Sequence, residues 1–303
     1  MKILIFGYKY FAKSLASDLQ KHDLKNHYVF IDTADNIISK MKSVFEIITA
    51  DRLFIIGGCI NNSKVIDIAL FLKKEILMEW VGTDVLNAKK SCFNGEKNDK
   101  YLYKIKHYCE IDWIEKELLK IGIVANICDI VRLENDYQIK DDNDASNTVI
   151  ALSYIGKNRE DFYGIENILN LAKIYTEIEF RICGTDGENI IAPPNVLFLG
   201  WIDDMRKEFK KCSIFLRLVE HDGLAFSVVE ALSFKKWVIY SQSFEYTYSY
   251  NNFDELVKCF QKVMNNINNK ELNKNGKKYV LKRYNKNRVL NNLVRIIQGD
   301  SSG

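Results

Sequence analysis

Two carboxylates and a glycine lie close together in the segment of residues 217–241. Asp222 and Glu230 are separated by seven residues, and Gly223 follows the first carboxylate directly. Residues 213–218 have the apolar composition of a buried strand, which would end just before this acidic loop. Open parallel sheets bind ligands at the carboxyl ends of their strands. Residues 227–234 have helical spacing and are predicted to form a helix, whose N-terminal amides can bind an anion.

Each of these residues also has a structural interpretation. Ser227 and Glu230 have the spacing of a helix capping box, in which the glutamate side chain bonds to the backbone amide of Ser227. Asp222 beside Gly223 is equally typical of a turn. From the residues alone, both interpretations stay open.

The segment resembles the acidic signature of the family-4 retaining glycosyltransferases of the GT-B fold, in which two acidic residues are separated by seven positions. Asp222 stands where Glu is commoner in that family. Residues 194–201 (PNVLFLGW) resemble the family's strand and turn before the helix that precedes the signature, and residues 80–85 (WVGTDV) resemble a block of its N-terminal domain. The resemblance implies an α/β protein with two doubly wound Rossmann-like domains that face each other across a cleft.

The resemblance also implies roles for the residues of the signature. In the family the second acidic residue binds the ribose hydroxyls of the nucleotide, a task that suits a carboxylate because it can accept two hydrogen bonds at once. Glu230 is therefore expected to bind the donor, and Asp222 is expected to lie beside the transferred sugar as a catalytic candidate. Further donor-binding residues implied in this way are His221, Gly223, Leu224, Ala225, Phe226, Ser227 and Gly156.

A diphosphate leaving group needs cations, because negative charge builds on it as the glycosidic bond breaks. The family places an Arg after the glycine that ends the first strand of the second domain, and a Lys before a second glycine. Here Lys157 follows Gly156, whereas Tyr163 precedes Gly164, so the pattern is half kept. Lys157 or Arg159 is expected to supply the charge; the alternative for each is a solvated loop cation.

The first half of the chain carries its own candidates. Asp84 follows a predicted strand and a glycine and is expected to point into the cleft as a catalytic candidate; a helix N-cap is the alternative. Glu79 stands where related blocks often carry His, so a contact from that histidine cannot be transferred. Gly7, Tyr8 and Lys9 open the first helix and are expected to approach the acceptor or a phosphate, unless they form a plain tight turn.

The elements that must position these residues alternate between strand and helix in both halves of the chain. Residues 1–131 are predicted to form an acceptor-binding Rossmann-like domain, and residues 148–285 a nucleotide-sugar-binding one. The polar residues 132–147 are predicted to be a linker. Residues 286–303 are predicted to contain a helix that crosses back to the first domain. Gly276 is predicted to cap a helix, and residues 38–45 are predicted to belong to a helix.

Composition is ordinary for a globular protein, with 47% hydrophobic and 27% charged residues in 303. A net charge of +3 argues against a nucleic-acid partner. Seven cysteines without a Cys-x-x-Cys pair indicate buried thiols in a reducing cytosol, and no signal peptide or membrane span is predicted. The location expected is cytoplasmic, at or near the inner face of the membrane, because basic residues near the C-terminus are of the kind that attract anionic lipid: Lys277, Lys278, Lys282, Arg283, Lys286, Arg288 and Arg295. A solvated helix face is the alternative.

Other chemistries lack their motifs. The chain has no Gly-x-Gly-x-x-Gly dinucleotide fingerprint, no Walker loop, no His-x-x-x-His zinc pair and no Gly-x-Ser-x-Gly elbow. The resemblance implies instead the transfer of a sugar from a nucleotide diphosphate, with UDP expected, to a glycan, a lipid-linked saccharide or a small molecule. It implies retention of anomeric configuration and neither a cofactor nor a metal. A non-catalytic binding or partner subunit of the same fold, or a nucleotide-sugar epimerase, is the alternative.

Overall fold

The computed structural model describes residues 1–32, 44–134 and 148–299. The chain divides into two compact units, each with one six-stranded parallel sheet. Unit 1 consists of Met1–Arg132 together with Lys286–Gly303, and unit 2 of Leu133–Asn285. Most of the predicted linker, and residues 38–43 of one predicted helix, lie outside the described residues.

Strands and helices alternate along the first part of unit 1. Its strands are β1 (Lys2–Gly7), β2 (His27–Phe30), β3 (Arg52–Ile56), β4 (Glu75–Trp80), β5 (Lys106–Cys109) and β6 (Ala125–Ile127). Its helices are α1 (Lys9–His22), α2 (helical residues 44–49), α3 (Lys64–Phe71), α4 (Thr83–Phe93), α5 (Asp99–Lys104) and α6 (Asp112–Lys120). The strands pair in the order β2-β1-β3-β4-β5-β6. Helices cover both faces of the sheet, so the middle strands carry continuous apolar runs.

Unit 2 repeats this architecture. Its strands are β7 (Ile150–Tyr154), β8 (Glu179–Cys183), β9 (Val196–Gly200), β10 (Ile214–Arg217), β11 (Trp237–Tyr240) and β12 (Tyr248–Ser249). Its helices are α7 (Ile165–Ile174), α8 (Arg206–Lys211), α9 (Phe226–Ser233), α10 (Phe253–Asn268) and α11 (Lys274–Arg283). The strands are all parallel and pair in the order β12-β11-β10-β7-β8-β9.

The last helix, α12 (Lys286–Gln298), belongs to unit 1 although it comes at the end of the chain. Its buried side chains, among them Leu290, Leu293 and Ile297, join the core that α1 forms with the sheet. Asp18 of α1 binds both residues at which the chain passes from one unit to the other: its carboxylate lies 2.6 Å from the guanidinium of Arg132 and 2.8 Å from Nζ of Lys286. One carboxylate of unit 1 therefore binds the chain at both boundaries between the units.

The prediction that Gly276 caps a helix is wrong. Gly276 lies in the first turn of α11, whose N-cap is Asn273, and its backbone N–H donates to the Asn273 side chain at 3.0 Å. A Cβ at Gly276 would lie 2.8 Å from Cδ2 of Leu232, so the glycine allows α11 to approach α9 closely. None of the described helices is long and apolar enough to cross a membrane.

The seven cysteines are free thiols. Five of them are buried, while Cys59 and Cys92 are half-buried. The sequence-based prediction of buried thiols is therefore confirmed for five of the seven.

Candidate functional site

The strand order of unit 2 places a switch point between β7 and β10. From β7 the chain runs outward through β8 and β9 and then returns to β10 and β11 on the other side. In doubly wound sheets, ligands bind outside the carboxyl ends of the strands at such a reversal. The loops after β7 and β10, residues 155–164 and 218–225, flank this point. The predicted signature therefore lies where this fold class binds ligands.

The two loops pack directly against each other. The backbone N–H of Glu220 donates to the carbonyl of Phe162 at 3.0 Å. Gly164 has a φ of +70°, and a Cβ there would lie 2.1 Å from the carbonyl oxygen of Leu218. Only glycine fits this conformation and this approach. The backbone conformation and the close packing therefore explain why a glycine occupies position 164, without any appeal to the family resemblance.

Asp222 is held by a cation that the sequence did not single out. Nε of Arg217, the last residue of β10, lies 2.8 Å from Oδ2 of Asp222, and the two side chains are 10% and 16% exposed. The guanidinium also lies 4.9 Å from the ring centroid of Tyr163. Burial opposes the charged form of Arg217, but the Asp222 carboxylate outweighs it and raises the pKa of Arg217. Tyr163, which stands where the family has Lys, is thus in contact with a cation.

The helix that follows the loop begins one residue before Ser227. The N-cap of α9 is Ala225, and no side chain caps it, so the capping-box interpretation of Ser227 and Glu230 is wrong. Glu230 lies in the second turn of the helix and is 8% exposed. Phe226 and Ser227 form the start of the first turn, and their backbone amides belong to those that a helix leaves without intrahelical acceptors.

The loop between Asp222 and α9 is held in place by a residue of the neighbouring strand β11. The hydroxyl of Tyr240, the last residue of β11, donates to the carbonyl of Gly223 at 2.7 Å, and Tyr240 is fully buried. Leu224 and Ala225 are also buried, whereas His221 is half-buried. The structure thus brings together the residues from His221 to Glu230 that the sequence assigned to the donor.

Lys157 and Arg159 lie in the loop after β7, and each has a neighbour in unit 2. Nζ of Lys157 lies 2.8 Å from Oδ2 of Asp186, with about half of each side chain exposed. The guanidinium of Arg159 lies 4.2 Å from the ring centroid of Phe162. A Cβ at Gly156 would lie 3.2 Å from the ring of Tyr163, so the start of this loop is also close-packed.

Unit 1 has its own switch point, between β1 and β3. Gly7 lies there with a φ of +125°, and a Cβ at this position would lie 1.9 Å from the carbonyl oxygen of Ile56. Tyr8 donates its backbone N–H to the same carbonyl at 2.9 Å, and it is the N-cap residue of α1. Lys9 forms an ion pair with Asp32, and its side chain is 69% exposed. The glycine is required for the turn, which leaves the tight-turn interpretation of this loop in place.

Asp84 links two loops at the carboxyl edge of the same sheet. Its carboxylate accepts hydrogen bonds from the backbone N–H groups of Gly58, Val81, Gly82 and Val85, at 2.5 to 3.2 Å. The N-cap of α4 is Gly82 rather than Asp84. Burial raises the pKa of Asp84, and these backbone donors oppose part of the rise. The geometry observed is that of a cross-link between the loops after β3 and β4.

Glu79 was not predicted as a functional residue, but its surroundings in unit 1 are unusual for a carboxylate. It is fully buried near the end of β4, and neither carboxylate oxygen has a hydrogen-bond partner among the residues that the structure describes. Burial, together with the charges of Glu110, Asp84 and Asp129, raises its pKa well above the ordinary value. The sequence drew attention to Glu79 only because related blocks often carry a histidine at this position before the tryptophan. It did not indicate that the carboxyl would be buried.

Within the parts of the chain that the structure describes, no three His, Cys, Asp or Glu side chains are grouped so that they could hold a metal ion. Lys157 and Arg159 lie in the loop after β7, and Arg217 lies at the end of β10 beside the second loop.

No protein-family model and no curated protein matches the sequence. Solved structures do match. The HepE protein of Anabaena, in complex with UDP-glucose, is 11% identical, with a TM-score of 0.75 over 99% of this chain and 100% of that one. Sucrose-phosphate synthase of Thermosynechococcus elongatus is 10% identical, with a TM-score of 0.68 over 99% of each chain. A glycosyltransferase of Rickettsia africae is 11% identical, with a TM-score of 0.67 over 98% of each chain.

These similarities, together with two six-stranded parallel sheets flanked by helices, define the fold. The chain has the GT-B fold, with two Rossmann-like domains, and this part of the sequence-based prediction is confirmed. At such low identity the likeness establishes the fold alone, and the activity must be argued from the residues of the chain.

Proposed function

We propose that this protein is a glycosyltransferase that transfers a sugar from a UDP-linked donor to a saccharide acceptor, and that unit 2 binds the donor. The observation that carries the proposal is the arrangement at the switch point of unit 2. A glycine-dependent loop, a buried Arg217–Asp222 pair and the N-terminus of α9 lie around the position where doubly wound folds bind ligands. The solved structures of the same fold include complexes with UDP-glucose, UDP and glucose, which supports a UDP-linked donor.

The chemistry of these groups suits a nucleotide diphosphate. The first amides of α9 point away from the helix and attract anions through the helix dipole. A guanidinium has five N–H donors, so Arg217 can pair with Asp222 and still present donors to a phosphate. Lys157 and Arg159 lie on the neighbouring loop. In this proposal these cations and amides neutralise the leaving diphosphate without a metal ion.

Glu230 is proposed to bind the ribose of the donor. Its carboxylate can accept hydrogen bonds from two neighbouring hydroxyls, and its place in the second turn of α9 puts it beyond the amides proposed for the diphosphate. Asp222 is proposed to lie next to the transferred sugar, with retention of configuration as in the family that the signature resembles. In unit 1, Gly7, Tyr8 and Lys9 are proposed to approach the acceptor or a phosphate, and Asp84 is proposed as a catalytic residue.

A specific observation favours a second candidate, a binding subunit of the same fold without catalysis. Asp222 is paired with Arg217, and Lys157 is paired with Asp186. An enzyme that uses these groups on its substrate must compete with those pairs, whereas a binding protein can keep them. The two candidates differ in turnover rather than in donor binding.

Incubation with a panel of nucleotide sugars tests both candidates. UDP-glucose, UDP-galactose, UDP-N-acetylglucosamine and GDP-mannose would each be followed by thermal shift and by chromatography of released nucleotide. If a UDP-sugar stabilises the protein and the protein also releases UDP from it, the result supports the proposal. Stabilisation without release favours the binding subunit, and the absence of stabilisation by any nucleotide sugar contradicts both.

We further propose that the protein works in the cytoplasm and reaches the inner face of the membrane when its acceptor is lipid-linked. The support is the set of basic residues in α11 and α12. Of these, Lys278, Lys282, Arg288 and Arg295 are exposed. Lys286 is instead paired with Asp18, so it is not part of a surface that could meet lipid freely.

A further inference from the structure

Unit 2 contains a cavity at the edge of its sheet opposite to the proposed donor site. The cavity has a volume of about 450 Å³, within the range of small-molecule sites, and Trp237, the first residue of β11, forms part of its wall. Trp237 aligns with Ile214 at the start of β10, whereas Asp222 follows Arg217 at the end of that strand. Three residue steps along a strand are about 10 Å, so the cavity and the acidic loop lie at opposite ends of the strands.

Three aromatic residues line the cavity. The ring centroids of Trp237 and Tyr248 are 6.1 Å apart, and their planes are inclined by 45°. Both rings are fixed by polar contacts: the indole N–H of Trp237 donates to the carbonyl of Glu271, and the hydroxyl of Tyr248 accepts from Asn266. Tyr246 is 47% exposed, so much of its side chain is open to a ligand.

The backbone at Tyr246 is held in an uncommon conformation. Its φ is +63°, in the left-handed region, which is an unfavourable one for a bulky residue. Asn273, which is buried, binds this turn: its Nδ2 donates to the carbonyl of Tyr246 at 2.9 Å, while its Oδ1 accepts from Gly276. The aromatic wall is therefore pre-organised by a buried amide. Conformations of this kind are concentrated at sites with a function.

Polar side chains complete the cavity on the side of α11. Lys274 and Asn275 line it, and both are exposed. No hydrogen bond of either side chain to another described residue is present, so their ammonium and amide groups are available to a ligand. The cavity thus combines aromatic faces with unused donors and one amide acceptor.

We propose that this cavity is a saccharide-binding site, separate from the proposed donor site. A pyranose ring has one face of C–H groups, which packs on an aromatic ring, and a rim of hydroxyls, which pairs with amide and ammonium groups. Tyr246 and Trp237 provide the aromatic faces, and Lys274 and Asn275 provide the polar partners. Such a site would hold a glycan chain on the surface of unit 2. The inference does not depend on the proposed activity, because it concerns binding alone.

Saturation-transfer difference NMR on the full chain tests the site, with maltotetraose and chitotetraose as probes and with excess UDP present. We expect saturation transfer to the C–H protons of at least one tetrasaccharide. The variant Tyr246→Asn should weaken that binding by about 5-fold, since an aromatic contact contributes on the order of 1 kcal/mol. Asn tolerates the left-handed backbone, so this variant should fold. Lys274→Ala with Asn275→Ala should have a similar effect.

Tyr103→Asn is the matched control, because Tyr103 is a tyrosine of unit 1 that is 82% exposed. It should leave saccharide binding unchanged, and all variants should keep the thermal shift that UDP produces in the parent protein. The inference is wrong if neither tetrasaccharide receives saturation, or if Tyr246→Asn binds as tightly as the parent. A second set of spectra without UDP shows whether UDP competes. If the saccharide signal of the parent and of Tyr246→Asn is present without UDP and lost when UDP is added, the saccharide binds in the donor site instead. Failure of UDP to bind would count against the proposed function but not against this site.

Discussion

Nε of Arg217 lies 2.8 Å from Oδ2 of Asp222, and both side chains are largely withdrawn from water. The pair joins the end of β10 to the loop that carries the acidic signature, and the ring of Tyr163 lies against the guanidinium. A buried pair of this kind contributes little net stability while it is intact, but removal of one partner leaves an uncompensated charge.

The first prediction concerns this pair. Asp222→Asn should lower the free energy of unfolding by about 3 kcal/mol, because the Arg217 charge is then buried without a counter-ion. Urea unfolding followed by circular dichroism measures the change. The double variant Arg217→Met with Asp222→Asn should recover part of the loss, so the two single losses should not add. Strict additivity would show that the two side chains do not interact.

The second prediction concerns Glu230, which does not form a capping box with Ser227 because the N-cap of α9 is Ala225. Glu230→Gln keeps the size of the side chain but removes the charge and one acceptor for the ribose hydroxyls. We expect kcat/KM for the donor to fall by about 10-fold or more, which corresponds to about 1.4 kcal/mol. Glu177→Gln, an exposed position in unit 2, is the control and should keep the kinetics of the parent. Unchanged kinetics in a folded Glu230→Gln variant would contradict the donor-site assignment.

The third prediction follows from the buried carboxyl of Glu79. Because its pKa in the folded state is raised, the folded protein binds this proton more tightly than the unfolded chain does. Its contribution to stability is therefore complete below the ordinary carboxyl pKa and is lost as the pH rises through the folded-state pKa. Asp84 shifts in the same direction, and the groups that influence Glu79 are Glu110, Asp84 and Asp129.

Glu79→Gln removes this titration. The free energy of unfolding of the parent should fall relative to that of Glu79→Gln as the pH is raised from 5 to 8, a window above the unfolded carboxyl pKa of about 4.3. Urea titrations at a series of pH values measure the difference between the two proteins. Glu96→Gln, at an exposed position of unit 1, should show no such divergence. Parallel curves for Glu79→Gln and the parent would mean that Glu79 ionises as it does in water.

The fourth prediction concerns metal ions. If Arg217, Lys157 and Arg159 neutralise the diphosphate together with the amides of α9, donor turnover should persist after dialysis against EDTA. Release of UDP with and without EDTA measures this. Loss of turnover that magnesium or manganese restores would rule out the proposed mechanism, while leaving the donor site itself in place.

The fifth prediction concerns lipid. Co-sedimentation with vesicles should increase with the fraction of anionic lipid and decrease with salt, because the attraction is electrostatic. Lys278→Glu with Lys282→Glu should abolish it, whereas the same change at Lys64 and Lys100, which are exposed in unit 1, should not. Binding that is independent of anionic lipid would dispose of the membrane proposal.

The sequence predicted the fold well because strands and helices alternate with clear turn residues. The end of β8 (Glu179–Cys183) is visible in the sequence, for example, because Gly184 follows the strand directly. The helix predicted to start at Ser227 begins instead at Phe226. The loop before this helix is held by the hydrogen bond from the hydroxyl of Tyr240 to the carbonyl of Gly223, a contact between residues that are 17 positions apart in the sequence.

The candidate site could be predicted only in part. The acidic signature was visible because its residues are neighbours in the chain. Arg217 was visible only as a charge at the end of an apolar strand, and its contacts with Asp222 and Tyr163 appear only once the loops after β7 and β10 are packed. The burial of Glu79 could not be predicted from the sequence either, because β4 is covered on both faces by elements from distant parts of unit 1.

The return of α12 to unit 1 sets the order in which the protein can fold during synthesis. Every residue of unit 2 is synthesised before α12, so the whole core of unit 2 precedes the last element of unit 1 along the chain. The core of unit 1 cannot be completed until α12 has been made, because Leu290, Leu293 and Ile297 pack with α1 and are translated after all of unit 2. The unit that is synthesised first is therefore finished last, and until then the nascent chain exposes the apolar surface that α12 will cover.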